Sequence, residues 1–202
     1  RPALEAAGHG GRMVALPPFL DPGPEVPPRP ARRPVRLLAV AMMRPGDKVE
    51  SYARLAAALA RLEVPYSLDV IGDGPERARI EAMLPHGTAF RGALGREAVQ
   101  AAMERADVLV WPGVGEGVGM AWLEAQAAGL PVVAEEGPAA KAVVAGGILV
   151  PPGASDAFAD AIAEVARRRE TLSAEASHAV RARHGLDAAA ATLAANLPGL
   201  AP

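Results

Sequence analysis

The sequence predicts an α/β protein with a doubly wound, parallel, six-stranded, Rossmann-like sheet and a helical C-terminal tail. Short apolar runs of strand length alternate with segments of helix length along most of the chain, which is the pattern of parallel α/β sheets. The central unit, residues 108–133, reads VLVWPGVGEGVGMAWLEAQAAGLPVV and gives the order strand, glycine loop, helix, strand. After the last apolar run the helical segments continue without further strands, which predicts the tail.

Each predicted strand is a short apolar run bounded by Gly, Pro or polar residues. The predicted strands are 35–41, 66–71, 88–92, 108–111, 131–133 and 147–150. The predicted helices between and after them are 52–62, 75–84, 97–105, 120–128, 139–145, 156–168, 170–183 and 187–195. Asp47 and Glu50 have the spacing of a capping box, so we expect a turn over residues 42–48 in which Asp47 caps the first helix. A polar turn is expected at residues 134–138.

The first 34 residues differ in composition from the rest of the chain. Proline dominates from Asp21 to Pro34, and this composition favours an extended, semi-rigid linker over a packed core. We therefore divide the chain into a Pro-rich linker with the remnant of a preceding domain, residues 1–34, and a ligand-binding domain, residues 35–202. A protein that simply starts with a Pro-rich segment is the alternative.

The totals exclude several classes of function. The chain has 202 residues and a net charge of −2, so no strong attraction to nucleic acid or anionic lipid is expected. It contains no cysteine, and its four histidines are scattered without ligand spacing, so we expect neither disulfides nor a metal site. The sequence has no apolar run of membrane-spanning length, and we expect a cytoplasmic location.

Ligands of an open sheet of this type bind at the carboxyl ends of its strands. The loop after the first strand carries Arg44 and Lys48, and the loop after the fourth carries Glu116 among glycines at 113, 115, 117 and 119. Two cations beside a glycine-rich helix start are typical of a diphosphate site, because free amide N–H groups and positive side chains meet there. Glu124 lies inside the apolar helix that follows, where a carboxylate is costly without a partner.

Glu116 and Glu124, with seven residues between them in EGVGMAWLEAQAAGLPVV, resemble the Glu-x7-Glu signature of a known family. This is the group 1 family of retaining, nucleotide-sugar-dependent glycosyltransferases, which have the two-domain GT-B fold. The resemblance covers roughly residues 16–186 and implies that the chain is one half of a GT-B fold, the C-terminal domain that binds the donor. A hexose would pass from an NDP-sugar to an acceptor held by the missing N-terminal domain. The isolated chain would then bind the donor without transferring the sugar.

The resemblance also implies roles for individual residues. Glu116 would contact the donor sugar at the reaction centre as the catalytic residue, and Glu124 would bind the ribose hydroxyls. The residues implied at the donor diphosphate are Lys48, Arg44, Gly117, Val118 and Gly119, and those implied near the base are Arg91 and Gly92. Because the cations and the helix end neutralise the diphosphate, no metal and no other cofactor is expected. Contact with a membrane would occur only through the missing half.

The sequence departs from the family pattern in two loops. In the first loop two methionines precede Arg44 where a glycine is usual, and only three residues separate Arg44 from Lys48. In the loop after the fifth strand, Glu135-Glu136-Gly137-Pro138 stands where many members have Gly-Gly followed by Glu. Contacts from this second loop to the acceptor are therefore not implied.

Other functions and simpler roles remain open from the sequence. A nucleotide-sugar epimerase-type GT-B domain would share the nucleotide site, and a degenerate domain kept for assembly would bind no nucleotide. An NAD(P)-binding Rossmann domain fits less well, since the glycine loop lacks the G-x-G-x-x-G spacing and follows the fourth strand instead of the first. In the simplest interpretation Arg44 and Arg91 are surface residues, Glu116 is solvated, and Glu124 is paired with an arginine.

Overall fold

The computed structural model describes residues 6–8, 14–27, 30 and 32–197. A sheet of six parallel strands forms its centre. The strands are β1 (Val35–Val40), β2 (Tyr66–Ile71), β3 (Ala89–Phe90), β4 (Val108–Val110), β5 (Val132–Glu135) and β6 (Gly147–Val150). Their spatial order is β3-β2-β1-β4-β5-β6, which is the order of a doubly wound sheet. The predicted fold class is therefore confirmed.

Eight helices of the described residues flank this sheet. They are α1 (Asp47–Leu59), α2 (Arg77–Met83), α3 (Arg96–Arg105), α4 (Met120–Ala127), α5 (Pro138–Val143), α6 (Ser155–Arg167), α7 (Arg169–His184) and α8 (Leu186–Asn196). Helix α1 contacts α2 and α6, whereas α4 contacts α3, α5 and α7. The last two helices form the predicted tail.

The apolar strands are buried because helices cover the sheet. All of β4 and residues 37–39 of β1 are at most 1% exposed, as expected for central strands of a parallel sheet. Strands β1 and β4 pair through Leu37 with Val108 and Leu38 with Leu109. This register brings the loops that follow β1 and β4 side by side at one edge of the sheet.

The start of α1 differs from the sequence-based prediction. The helix begins at Asp47, five residues before the predicted start, and no side chain caps it. Gly46 precedes it with a φ of 83°, a conformation that favours glycine, so the backbone turn replaces the predicted Asp47–Glu50 capping box. As a result Lys48 lies in the first turn of a helix and not in a loop.

The end of β5 is a second correction. The predicted polar turn at residues 134–138 begins too early, because Glu135 is the last residue of β5 and only 6% exposed. Two hydrogen bonds compensate the burial of its carboxylate. Arg54 Nη1 lies 2.5 Å from Glu135 Oε2, and the Gly153 N–H donates to Oε1 at 2.9 Å.

Two glycines after β2 allow its loop to pack against the loop after β1. A Cβ atom on Gly72 would lie 1.9 Å from the Ala41 carbonyl oxygen, and one on Gly74 would lie 2.3 Å from that of Met43. The Met43 N–H donates to the Asp73 carbonyl at 2.9 Å. Residues 72–76 therefore connect the loop after β2 to the loop after β1.

A buried ion pair fixes the amino end of β4. Asp107, just before the strand, and Arg169, at the start of α7, are each 1% exposed, and Arg169 Nη2 lies 3.3 Å from Asp107 Oδ1. Arg169 also donates to the carbonyls of Ala106 and Pro30, both at 2.8 Å. Asp107 Oδ2 accepts from the Arg36 N–H at 2.9 Å. Sequence patterns gave no sign of this pair, whose members lie far apart in the chain.

The described part of the Pro-rich segment lies along α7. The Leu20 N–H donates to the His184 carbonyl at 2.9 Å, and His184 Nδ1 lies 2.8 Å from the Pro18 carbonyl oxygen. The Arg181 guanidinium donates to three successive carbonyls, those of residues 22–24. Because proline has no backbone N–H, a Pro-rich segment takes part in hydrogen bonds mainly through its carbonyl oxygens. Residues 1–5, 9–13, 28–29 and 31 of the predicted linker lie outside the described residues, and the division at residue 34 stays a prediction.

Candidate functional site

The candidate site lies where the loops after β1 and β4 meet. These strands are neighbours in the sheet. The strands that follow β1 in the chain, β2 and β3, lie on one side of this pair, and those that follow β4, β5 and β6, lie on the other side. Such a switch point opens a crevice at the carboxyl edge of the sheet, where ligands of doubly wound folds bind. The loop after β1 holds one glycine, Gly46, and the glycine-rich loop follows β4. This placement does not favour the dinucleotide-binding alternative, which needs the glycines after the first strand.

Lys48 and Glu116, predicted from separate loops, are in direct contact. Lys48 Nζ forms an ion pair with Glu116 Oε1. The Trp111 indole N–H donates to the same oxygen at 3.0 Å. The side chains of Lys48 and Glu116 are 12% and 19% exposed, so solvent screens this pair less than a surface pair. Glu116 is therefore not merely solvated, and the ammonium and the carboxylate share one partly buried place.

The glycine loop packs tightly against the start of α1. The Val114 N–H donates to Ser51 Oγ at 3.0 Å, and this hydroxyl donates to the Asp47 carbonyl at 2.8 Å. A Cβ atom on Gly115 would lie 2.0 Å from Asp47 Oδ2. Glycine at 115 thus lets the loop that carries Glu116 approach the helix that carries Lys48.

Residues 117–119 form the approach to α4. Gly119 is its N-cap, with a φ of 74°, and no side chain caps the helix. Gly117 and Val118 are exposed. The first amide groups of a helix lack intrahelical acceptors, so this uncapped end offers N–H donors and the positive end of the helix dipole to an anion.

Glu124 lies half-buried on α4. Burial raises the pKa of its carboxyl, and the charge of Arg96 at the start of α3 opposes this rise. Within residues 14–27, 30 and 32–197, no side chain forms an ion pair or hydrogen bond with Glu124. The electrostatic effect of Arg96 is a weak form of the arginine pairing considered above. The carboxylate oxygens remain available to a ligand.

Arg44 and Arg91 differ in their surroundings. Arg44 is exposed and makes no hydrogen bond or ion pair with another described residue. Arg91 is exposed as well, and its Nη2 lies 2.9 Å from Asp69 Oδ1. The Gly92 carbonyl accepts from the Gly72 N–H at 2.9 Å. Arg91 thus fits the surface interpretation, whereas Arg44 stands beside the crevice without a partner.

A cleft with a volume of about 270 Å³ adjoins Glu116. Its walls are residues 112–116, Trp122, residues 135–140, Pro152 and Arg54. This volume lies just below the roughly 300–1,000 Å³ of sites for drug-sized ligands, so the cleft accommodates a single small group and not a whole nucleotide. Sequence reasoning missed Arg54 and Trp122. Only the helical Glu50–Arg54 spacing pointed to Arg54.

Trp122 forms the back of this cleft. Its indole is 1% exposed and fits between two glycines: a Cβ atom on Gly113 or on Gly119 would lie 2.2 Å from a ring carbon. The indole N–H is buried and finds no acceptor among the described residues. A buried donor without a partner is costly.

The described residues offer neither a metal-binding cluster nor a membrane-spanning helix. In the portion of the chain that the structure describes, no cluster of three His, Asp or Glu side chains is placed to hold a metal ion. No helix among those residues has the length and apolar character needed to cross a membrane.

Comparisons with known proteins agree on the family. A family model described as "Glycosyl transferases group 1" matches residues 34–168. A 2-deoxystreptamine glucosyltransferase of Streptomyces kanamyceticus is 37% identical over 83 residues, which are 39% of this chain and 21% of that protein. A phosphatidyl-myo-inositol mannosyltransferase of Mycobacterium leprae (strain TN) is 37% identical over 122 residues, which are 55% of this chain and 32% of that protein. The chain thus spans at most a third of these relatives.

Solved structures share the fold. Sucrose-phosphate synthase of Thermosynechococcus elongatus superposes with a TM-score of 0.78 at 24% identity, over 96% of this chain and 55% of that one. Anabaena HepE in complex with UDP-glucose gives a TM-score of 0.70 at 20% identity, over 83% of this chain and 50% of that one. The chain therefore covers about half of each of these proteins.

Proposed function

The chain belongs to the group 1 glycosyl transferases, and from this premise we propose that it forms the donor site of a retaining glycosyltransferase. The enzyme transfers a hexose from a nucleoside-diphosphate sugar to an acceptor. One observation carries the proposal: Lys48 and Glu116 meet beside the uncapped start of α4, in the crevice where doubly wound folds bind nucleotides.

The diphosphate of the donor binds at this helix start. Lys48, Arg44 and the amides of residues 117–119 supply positive charge where the leaving diphosphate gains negative charge, which lowers the barrier to departure. Lys48 exchanges Glu116 for a phosphate oxygen during binding. No metal ion is needed, because these groups neutralise the leaving group.

The two glutamates read the sugars on either side of the diphosphate. Glu116 faces the cleft and accepts hydrogen bonds from hydroxyls of the donor hexose near its reacting carbon. Glu124 accepts from the ribose hydroxyls. Ribose binding supplies the hydrogen bonds that a half-buried carboxylate lacks in the free chain. The base lies towards Arg91 and Gly92.

The acceptor site belongs to a preceding N-terminal domain of the same protein. Support comes from the solved structures, of which this chain covers about half. The isolated chain accordingly binds the donor and transfers nothing. Membrane contact depends on that other half, and the chain itself works in the cytoplasm. A sugar transfer catalysed by the isolated chain would contradict this division of labour.

Calorimetric titration tests the donor site. UDP, GDP and ADP are titrated into the wild-type chain, into Glu124→Gln and into Glu63→Gln, an exposed glutamate close to the amino-terminal edge of the sheet. We expect one nucleotide to bind, and Glu124→Gln to weaken it by about 1.5–3 kcal/mol, the contribution of a charged hydrogen bond. Glu63→Gln should bind like wild type. If no nucleotide binds, or if both variants behave alike, the proposed donor site is wrong.

A further inference from the structure

Trp111 binds the Glu116 side chain of the glycine loop through its indole N–H. The residue follows β4 directly, and its side chain is 2% exposed. Its indole N–H and Lys48 Nζ donate to the same carboxylate oxygen, Glu116 Oε1. The other oxygen, Oε2, receives no hydrogen bond from the residues that the structure describes. The carboxylate is therefore anchored on one side and open on the other.

The indole itself is held in place by its neighbours. Tyr52 meets it edge to face, with ring centroids 4.9 Å apart and an angle of 72° between the rings. The Tyr52 hydroxyl donates to the Ala41 carbonyl at 3.0 Å. Lys48 Nζ lies 5.4 Å from the centroid of the Trp111 ring, within the range of a cation–π contact. A buried, packed ring has one orientation, whereas Glu116 lies between two glycines in a loop.

Lys48 is the less permanent of the two anchors. It carries one positive charge, and the proposed function gives it a second anionic partner, the donor diphosphate. When Lys48 turns to the phosphate, Glu116 loses its ion pair. The indole N–H is a neutral donor on a fixed ring, so the phosphate does not draw it away from the carboxylate.

We propose that Trp111 is a positioning residue, which keeps Glu116 directed at the donor sugar after the diphosphate has taken Lys48. The carboxylate then offers Oε2 to the sugar hydroxyls. The role of Trp111 rests on the proposed donor site. The hydrogen bond from Trp111 to Glu116 does not, and it is measurable in the free chain.

The contact is tested by the indole N–H resonances of 15N-labelled protein. The chain has two tryptophans, Trp111 and Trp122, so Trp122→Phe identifies the Trp111 signal. We expect Glu116→Gln to shift the Trp111 resonance, because a charged acceptor becomes neutral, and to leave the Trp122 resonance in place. If the Trp111 resonance does not move, the contact is refuted.

The positioning role is tested by separating nucleotide binding from sugar binding. In the Trp122→Phe background, Trp111 is replaced by 3-benzothienylalanine, a ring of nearly the same shape that lacks the N–H. UDP and UDP-glucose, and the corresponding GDP and ADP pairs, are then titrated. Relative to the Trp122→Phe variant that keeps Trp111, we expect the affinity for the nucleoside diphosphate to change less than twofold. The additional affinity from the sugar should fall roughly tenfold, as for loss of a hydrogen bond to a charged group.

The possible outcomes separate the two proposals. If nucleotide and nucleotide-sugar weaken equally, or if the contribution of the sugar is unchanged, Trp111 is not a positioning residue. If the wild-type chain binds none of the nucleotides, the donor site fails and the role of Trp111 in it fails too. The resonance measurement still decides in that case whether Trp111 binds Glu116.

Discussion

Replacing Gly115 with alanine should destabilise the chain by about 2–3 kcal/mol. Gly115 has a φ of +64°, and this left-handed conformation costs an alanine about 1–2 kcal/mol. The new Cβ would also lie 2.0 Å from Oδ2 and 3.0 Å from Cβ of Asp47. The exposed carboxylate can swing aside, so this crowding adds about 1 kcal/mol, the low end for overpacking. The melting temperature should fall by roughly 4–12 °C.

Gly117 offers a matched control in the same loop. It is exposed, its φ lies outside the left-handed region, and a Cβ atom there would meet nothing within 4 Å. Gly117→Ala should therefore change the free energy of unfolding by no more than about 0.5 kcal/mol. Urea denaturation of both variants measures the difference.

The Asp47→Ala variant separates the two contributions at position 115, backbone strain and crowding against Asp47. In Asp47→Ala the crowded carboxylate is gone, so Gly115→Ala should then cost only the conformational part, about 1–2 kcal/mol. We also expect Gly115→Ala to weaken nucleotide-sugar binding more than Gly117→Ala does, because it moves Glu116 away from Lys48. Equal urea midpoints for Gly115→Ala and Gly117→Ala would refute the close approach of the loop to α1.

Three further predictions concern single side chains. Arg169→Met should lower the free energy of unfolding by about 3–5 kcal/mol in urea, because the buried Asp107 carboxylate then keeps only the partly exposed Arg36, at 3.5 Å, as an ion-pair partner. Arg168→Met, at an exposed neighbour, should change the free energy of unfolding by no more than about 0.5 kcal/mol. Equal effects of the two substitutions would contradict the buried pair. Burial raises the pKa of Glu124 above its ordinary value of 4.5, so ionisation of this carboxyl destabilises the folded chain. The melting temperature of Glu124→Gln should therefore rise relative to that of wild type as the pH increases through and above 4.5. A difference in melting temperature that does not vary with pH would contradict this reasoning. Lys48→Met should weaken the binding of nucleoside diphosphates by about 1.5–3 kcal/mol, and that of nucleoside monophosphates by less, as measured by calorimetry. An equal loss for both would show that Lys48 does not contact the terminal phosphate of the diphosphate.

Local patterns predicted the elements well, because each element depends on its own residues. Strands β2 and β6 have the predicted bounds, and the glycine loop and α4 lie where the central unit placed them. The error at α1 comes from the backbone turn at Gly46, whereas the error at β5 has a non-local cause. The end of β5 depends on Arg54, which compensates the charge of Glu135 from a helix 81 residues away in the chain.

The contacts between the predicted site residues could not be predicted from the sequence. The sequence predicted Lys48 and Glu116 from two separate loops, yet nothing local shows that they pair across 68 residues. Trp111 and Trp122 lie in apolar segments of the sequence, and both are buried. Their indole N–H groups have different surroundings, one donating to Glu116 and one facing no described acceptor. Only the arrangement of neighbouring elements determines that difference.

The place of Trp122 between Gly113 and Gly119 has a consequence for sequence variation. An indole at 122 forbids a Cβ at either glycine, since such an atom would overlap the ring at 2.2 Å. Homologues with a small aliphatic residue at 122 escape this overlap, and only the backbone conformation then restricts positions 113 and 119. Tryptophan at 122 should therefore occur in homologues only together with glycine at both positions, so that the three positions co-evolve as one unit.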